Sequence, residues 1–163
     1  MRTLTILTGS SRGLGAALGR SLAAQGGHLV TVSRGESSQL ARACAESNTR
    51  HTHLDVDLAE TGAVTTAGHM LADLCAGQIR VRLIHNAGVV APIALAHQLN
   101  DLEQINRAFQ INITAPIYLT SQVLGATVSA TDRRIMLISS GAGRSPTAGW
   151  GVYCATKAAL DRY

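Results

Sequence analysis

Tyr153 and Lys157 stand one helical turn apart in the stretch YCATK, and Lys157 is the single lysine of a chain that carries thirteen arginines. An unperturbed tyrosine titrates near ~10, too high to exchange protons efficiently at neutral pH. A cation four residues further along the same helix face favours the phenolate, so the pair could give or take a proton there. The lysine type fits this use, because a compact ammonium offers three donors without the planar fork of a guanidinium. A second chemically suggestive stretch lies at the other end of the chain. In TGSSRGLG, Thr8 to Gly15, glycines occupy positions 9, 13 and 15 between an apolar run and a helical pattern. Small residues there let backbone N–H groups and a helix N-terminus approach a pyrophosphate. An ordinary tight turn between a strand and a helix is the competing reading of the same residues.

Both features need a scaffold. Short β-branched apolar runs at 3–8, 28–33, 50–54, 81–85 and 134–139 read as strands. Helical periodicity separates them, over 13–27 with a Gly-Gly stop at its end, about 37–47, about 60–76 and a long stretch of about 101–130 that continues despite Pro116. Asn100 to Glu103 reads as the capping box that opens the long helix, and a last helix starts at about Gly151. Such alternation predicts an α/β fold: a Rossmann-type doubly wound parallel sheet, three layers deep, forming one domain over 1–163 and truncated after about five strands.

Composition narrows the function. With 46% apolar and 15% charged residues the chain supports a packed core, and with 3% aromatic residues that core is aliphatic. No apolar run is long enough to span a bilayer and the N-terminus lacks a signal-peptide pattern, so a cytoplasmic protein with no membrane partner is expected. Cys44, Cys75 and Cys154 are odd in number and widely spaced, which predicts reduced thiols. The arginines are scattered and not interleaved with aromatics, which argues against nucleic acid. His51 and His53 share a strand face but have no patterned third ligand, so no metal is expected.

Five motifs taken in order, TGSSRGLG, HNAG, the helical Asn112, ISS and YCATK, resemble the classical short-chain dehydrogenase/reductase family. The G-W pair at Gly149-Trp150 and the stretch GVVAPI look most like its sepiapterin reductase and benzil reductase branch. The resemblance implies reduction of a small carbonyl to an alcohol, with hydride from a nicotinamide dinucleotide and a proton from Tyr153. It implies that Lys157 supports Tyr153 and reaches the nicotinamide ribose, and that Ser140, thirteen residues before Tyr153, polarises the carbonyl. Ser139 is the neighbouring competitor for that role. Asn112 is implied to hold a water that extends a proton relay. Gly9, Ser11, Arg12, Gly13, Leu14 and Gly15 are the implied phosphate loop, Asp57 with Leu58 the adenine contact, and Asn86, Ala87 and Gly88 the crevice lining. A truncated dinucleotide-binding or dimerisation module without turnover is the alternative.

The end of the second strand distinguishes the two dinucleotides. An acidic residue there would accept the ribose diol of NAD, whereas this chain has Arg34, with Arg12 in the glycine loop as a second guanidinium. NADP(H) is therefore preferred, with NAD(H) the alternative. Glu36 counts against it only if it faces the site, and it reads as the start of the next helix. The family also pairs subunits through a long helix and the catalytic helix, which implies a homodimer or homotetramer built on about 101–130 and the last helix. Complete members continue with further strands and a covering loop, so the chain reads as incomplete at its C-terminus.

Overall fold

The computed structural model describes residues 3–163. It contains β1 (Leu4–Thr8), α1 (Gly13–Ala23), β2 (His28–Ser33), α2 (Ser38–Glu46), β3 (Arg50–Asp55), α3 (Thr61–Cys75) and β4 (Arg80–His85). After a 3-10 turn at Ala96–Gln98 come α4 (Leu102–Phe109), a π turn (Gln110–Thr114), α5 (Ala115–Ala126), β5 (Asp132–Leu137), a 3-10 turn at Gly141–Gly143 and α6 (Gly151–Arg162).

The five strands form one parallel sheet in the order β3-β2-β1-β4-β5. Every residue of β1 is buried, as expected of a central strand covered on both faces. On one face Leu4, Ile6, Val30, Val81 and Leu83 pack with Val64, Leu71, Leu119 and Val123 of α3 and α5. On the other, Leu7, Leu29 and Ile84 pack with Ala23, Leu40 and Cys44 of α1 and α2. Burial pushes the Cys75 thiol up to about 11, which keeps it protonated and inert. Among the described residues no helix is long and apolar enough to cross a membrane.

Three expectations shift. The long helix is not a regular helix to about 130: it widens into the π turn at Gln110–Thr114 and stops at Ala126. Pro116 supplies the reason, since it has no N–H to offer the Asn112 carbonyl four residues back, and the ladder skips around that gap. The helix cap is Asp101, not a box beginning at Asn100, because the Asp101 carboxylate accepts from Gln104 N at 3.0 Å. β5 begins and ends two residues earlier than its apolar run, because pairing with β4 sets the register from Arg80↔Asp132 to His85↔Leu137. That shift places Ser139, as well as the expected Ser140, beyond the strand end.

Candidate active site

The site forms where the chain reverses direction across the sheet, between the C-terminal ends of β1 and β4. Thr8 ends β1 with its hydroxyl oxygen accepting from both Asn86 N and Ala87 N at 3.1 Å. The Asn86 side-chain amide donates back to the carbonyls of Thr8 at 3.2 Å and Gly9 at 3.0 Å. Gly9 has φ +71°, a left-handed conformation that glycine adopts without penalty. A Cβ on Gly15 would run into the Gly9 carbonyl and the Asn86 amide, so the start of α1 can lie against this turn only as glycine.

These contacts leave a cavity of about 330 Å³ over the turn. Its walls gather Gly9, Ser11, Arg12, Gly13, Leu14 and Gly15 from the loop and Arg34 from the end of β2. Asp57 and Leu58 from the segment after β3, and Asn86, Ala87 and Gly88 from the segment after β4, complete them. Four further residues line it that were given no role from the sequence: Ser33, Val56, Ile111 and Val89, the last lying within the stretch GVVAPI. Each lies next to a motif residue in sequence or on the π turn, and only adjacency could have flagged them.

Arg12 and Arg34 make the wall basic, against one carboxylate, Asp57. Partial burial works against ionisation of Asp57, but its bond from Ala59 N and the guanidiniums of Arg107 and Arg34 outweigh this and hold its carboxyl below the usual range. Asp55 plays a different part, accepting from Gly35 N at 3.0 Å and so fastening the loop that carries Arg34. Glu36 does not start α2: Ser37 caps that helix, and Glu36 sits outside it, 3.5 Å from His51 Nδ1.

Tyr153, Lys157, Ser140 and Asn112 do not line this cavity, but Asn112 and Lys157 adjoin it through Gly88. A Cβ there would lie 3.4 Å from Asn112 Oδ1 and 3.7 Å from Lys157 Nζ. Lys157 is 5% exposed, its ammonium donates to the Ile138 carbonyl at 2.7 Å, and it lies 5.7 Å from the centre of the Tyr153 ring. Burial lowers its pKa, an effect that the Asp161 carboxylate one turn further along α6 opposes. Trp150 packs edge-on against Tyr153 with ring centres 5.8 Å apart. The Ser140 hydroxyl oxygen accepts from Ala142 N at 3.2 Å, leaving its hydrogen to donate elsewhere. Ser139 Oγ, by contrast, is enclosed without a partner.

Asn112 is 1% exposed. Its Oδ1 accepts from Val89 N at 2.9 Å, and its amide donates to Val89 O at 2.9 Å and Thr156 Oγ1 at 3.0 Å. The residue thus pins the π turn to α6 and to the segment after β4. Among the described residues no group of three His, Cys, Asp or Glu is placed to hold a metal ion.

Residues 3–163 match the family model described as short chain dehydrogenase. The benzil reductase ((S)-benzoin forming) of Bacillus cereus is 32% identical over 161 residues, covering 97% of this chain and 64% of the relative. A solved short-chain dehydrogenase/reductase from Burkholderia vietnamiensis superposes with a TM-score of 0.89 at 40% identity, over 99% of this chain and 74% of that one. A short-chain dehydrogenase from Sphingobium yanoikuyae, solved in complex with NADPH, superposes with a TM-score of 0.82 at 29% identity, over 96% of this chain and 61% of that one. The chain spans between 56% and 64% of the length of the curated relatives it matches.

Proposed function

The chain belongs to the short-chain dehydrogenase family, and on that premise we propose that it serves an NADP(H)-dependent reductase that converts a small ketone or dicarbonyl to an alcohol. The observation that carries the proposal is the junction at Gly88, which brings the buried Lys157 and Asn112 to the rim of a cavity walled by the phosphate loop.

The residues fit a nicotinamide dinucleotide. The left-handed Gly9 and the Cβ-free Gly15 leave the N-terminus of α1 bare toward the cavity, as a pyrophosphate requires. Arg34 and Arg12, both on the cavity wall, would supply guanidiniums for a 2′-phosphate, and the NADPH held by the Sphingobium yanoikuyae protein supports that choice. Bound there, the dinucleotide supplies the hydride.

The protein's own part is the proton and the orientation of the carbonyl. Tyr153 donates its phenolic proton to the oxygen that becomes the alcohol. Lys157, kept short of full solvation, stabilises the phenolate left behind. Ser140 donates a hydrogen bond to the same oxygen and stabilises its developing charge. Both amide hydrogens of Asn112 are already bonded. A water that extends the proton path is therefore placed on its main-chain carbonyl, to which Pro116, four residues on, offers no N–H.

The substrate class follows the relative: the Bacillus cereus enzyme is named for benzil, an aromatic dicarbonyl, and the pair Trp150–Tyr153 offers an aromatic edge beside the proton donor here. Self-association through α4, α5 and α6 is part of the proposal, supported by the exposed Leu102, Phe109 and Ile117 along the first two.

Two measurements test the reading. NADPH consumption in the presence of an aromatic dicarbonyl is expected, and its absence with every ketone tried would remove the catalytic assignment. Arg34→Asp is expected to lower affinity for NADPH at least about tenfold while leaving NADH binding within a few fold, because the introduced carboxylate repels the 2′-phosphate. Calorimetric titration of both dinucleotides reads this directly; an unchanged preference means that the phosphate sits elsewhere.

A further inference from the structure

Asp57 poses a difficulty for the proposed 2′-phosphate. It is the carboxylate on a wall whose Arg34 would hold that phosphate, and its Oδ2 already lies 3.7 Å from Arg34 Nη1. An unneutralised Asp57 would both retain Arg34 and repel the incoming dianion.

The long helix resolves the conflict. From α4, Arg107 Nη2 donates to the same Oδ2 at 3.1 Å, a shorter contact than the one to Arg34. The other oxygen, Oδ1, accepts from Ala59 N at 3.0 Å. Asp57 is therefore anchored by two hydrogen bonds that do not involve Arg34. Arg34 itself has a side chain 64% exposed, so turning from Asp57 to a ligand breaks a long, hydrated contact only.

We propose that Arg107 is a positioning residue for dinucleotide selection: by holding and neutralising Asp57, it releases Arg34 to bind the 2′-phosphate. This rests on the reading of the cavity as an NADP(H) site. Arg107 does not line that cavity; it borders the neighbouring one, with Ala59 and Asp101, and acts through Asp57 alone. The adenine contact implied for Asp57 is common to both dinucleotides, so the effect of Arg107 on the ratio of their affinities is specific to the phosphate. NADH has no 2′-phosphate and makes no demand on Arg34.

The test is calorimetric titration of the chain with NADPH and with NADH. The wild type is measured first and is expected to prefer NADPH. Arg107→Gln, which can still hydrogen-bond Asp57 but carries no charge, is expected to weaken NADPH about tenfold and NADH less than about twofold. Arg107→Lys keeps the charge and is expected to retain the wild-type ratio. In the Asp57→Asn background, Arg107→Gln should no longer change that ratio, since no carboxylate remains to neutralise. Equal loss of both ligands in Arg107→Gln, or no loss of either, overturns the inference while leaving the NADP(H) reading intact. A wild type that binds neither dinucleotide, or prefers NADH, overturns the reading itself and the inference with it. Should Arg107→Gln not fold, as judged by its circular dichroism, the Lys variant decides alone: collapse of the NADPH preference with the charge retained refutes the neutralisation argument.

Discussion

Tyr153→Phe is expected to reduce kcat for carbonyl reduction by about 10²–10⁴-fold, the range associated with loss of a positioned general acid. The substitution removes one hydroxyl and little else. The ring keeps its edge-on contact with Trp150 at 5.8 Å and its place 5.7 Å from the Lys157 ammonium, so neither α6 nor the crevice loses packing. Affinity for NADPH should therefore stay within about twofold of wild type, since the phosphate loop, Arg34 and the segment after β4 are untouched. Steady-state kinetics with NADPH and an aromatic dicarbonyl, paired with calorimetry, separates the two effects. A variant with near wild-type kcat rules Tyr153 out as the proton donor. Because Lys157 is the only lysine, lysine-specific isotope labelling gives one ammonium signal, whose titration should fall below the ordinary lysine value for the burial described above.

The second large effect concerns stability. His85 ends β4 and is 3% exposed, with Nε2 2.9 Å from Thr120 Oγ1 and a pKa lowered to about 4 by burial. The sign follows from linkage. Unfolded, the imidazole takes up a proton near ~6.5; folded, it resists until about 4. Above ~6.5 the residue is neutral in both states and contributes no pH dependence. As pH falls from there to about 4 the unfolded state gains a proton that the folded state refuses, and stability drops by about 3 kcal/mol in total. His28 and His51, also lowered chiefly by burial, act in the same direction. The depressed carboxyls of Asp57, Asp101 and Asp132 contribute at lower pH, so the window between about 4.5 and 6.5 reports the histidines. Urea unfolding across that window should show the loss, and His85→Asn should remove much of it. A flat profile in the wild type contradicts the assignment.

Much of this protein can be read along the chain. β1 to β4 and α1 to α3 fall within a residue or two of their expected ends, because each is set by its own periodicity and punctuation. The glycine loop, Arg34, Asp57 with Leu58 and the segment Asn86 to Gly88 do converge on one cavity, since each immediately follows a parallel strand and parallel strands deliver their C-terminal ends to one edge. Two of the misses have separate causes. The register of β5 was set by its partner rather than by its own apolar run, and the π turn by a carbonyl that Pro116 could not satisfy four residues away.

By itself, then, the sequence determined the alternating α/β order, the family motifs and the pairing of Tyr153 with Lys157, all of which depend on residues within a few positions of each other. Tertiary structure alone decided that Asn112 spends its side chain on Val89 and Thr156, that Lys157 rests on the Ile138 carbonyl, and that Arg107 meets Asp57 fifty residues away. The reason is physical: periodicity and turn chemistry act through the local backbone, whereas a hydrogen bond between distant elements exists only once the packed sheet has set how far apart they stand.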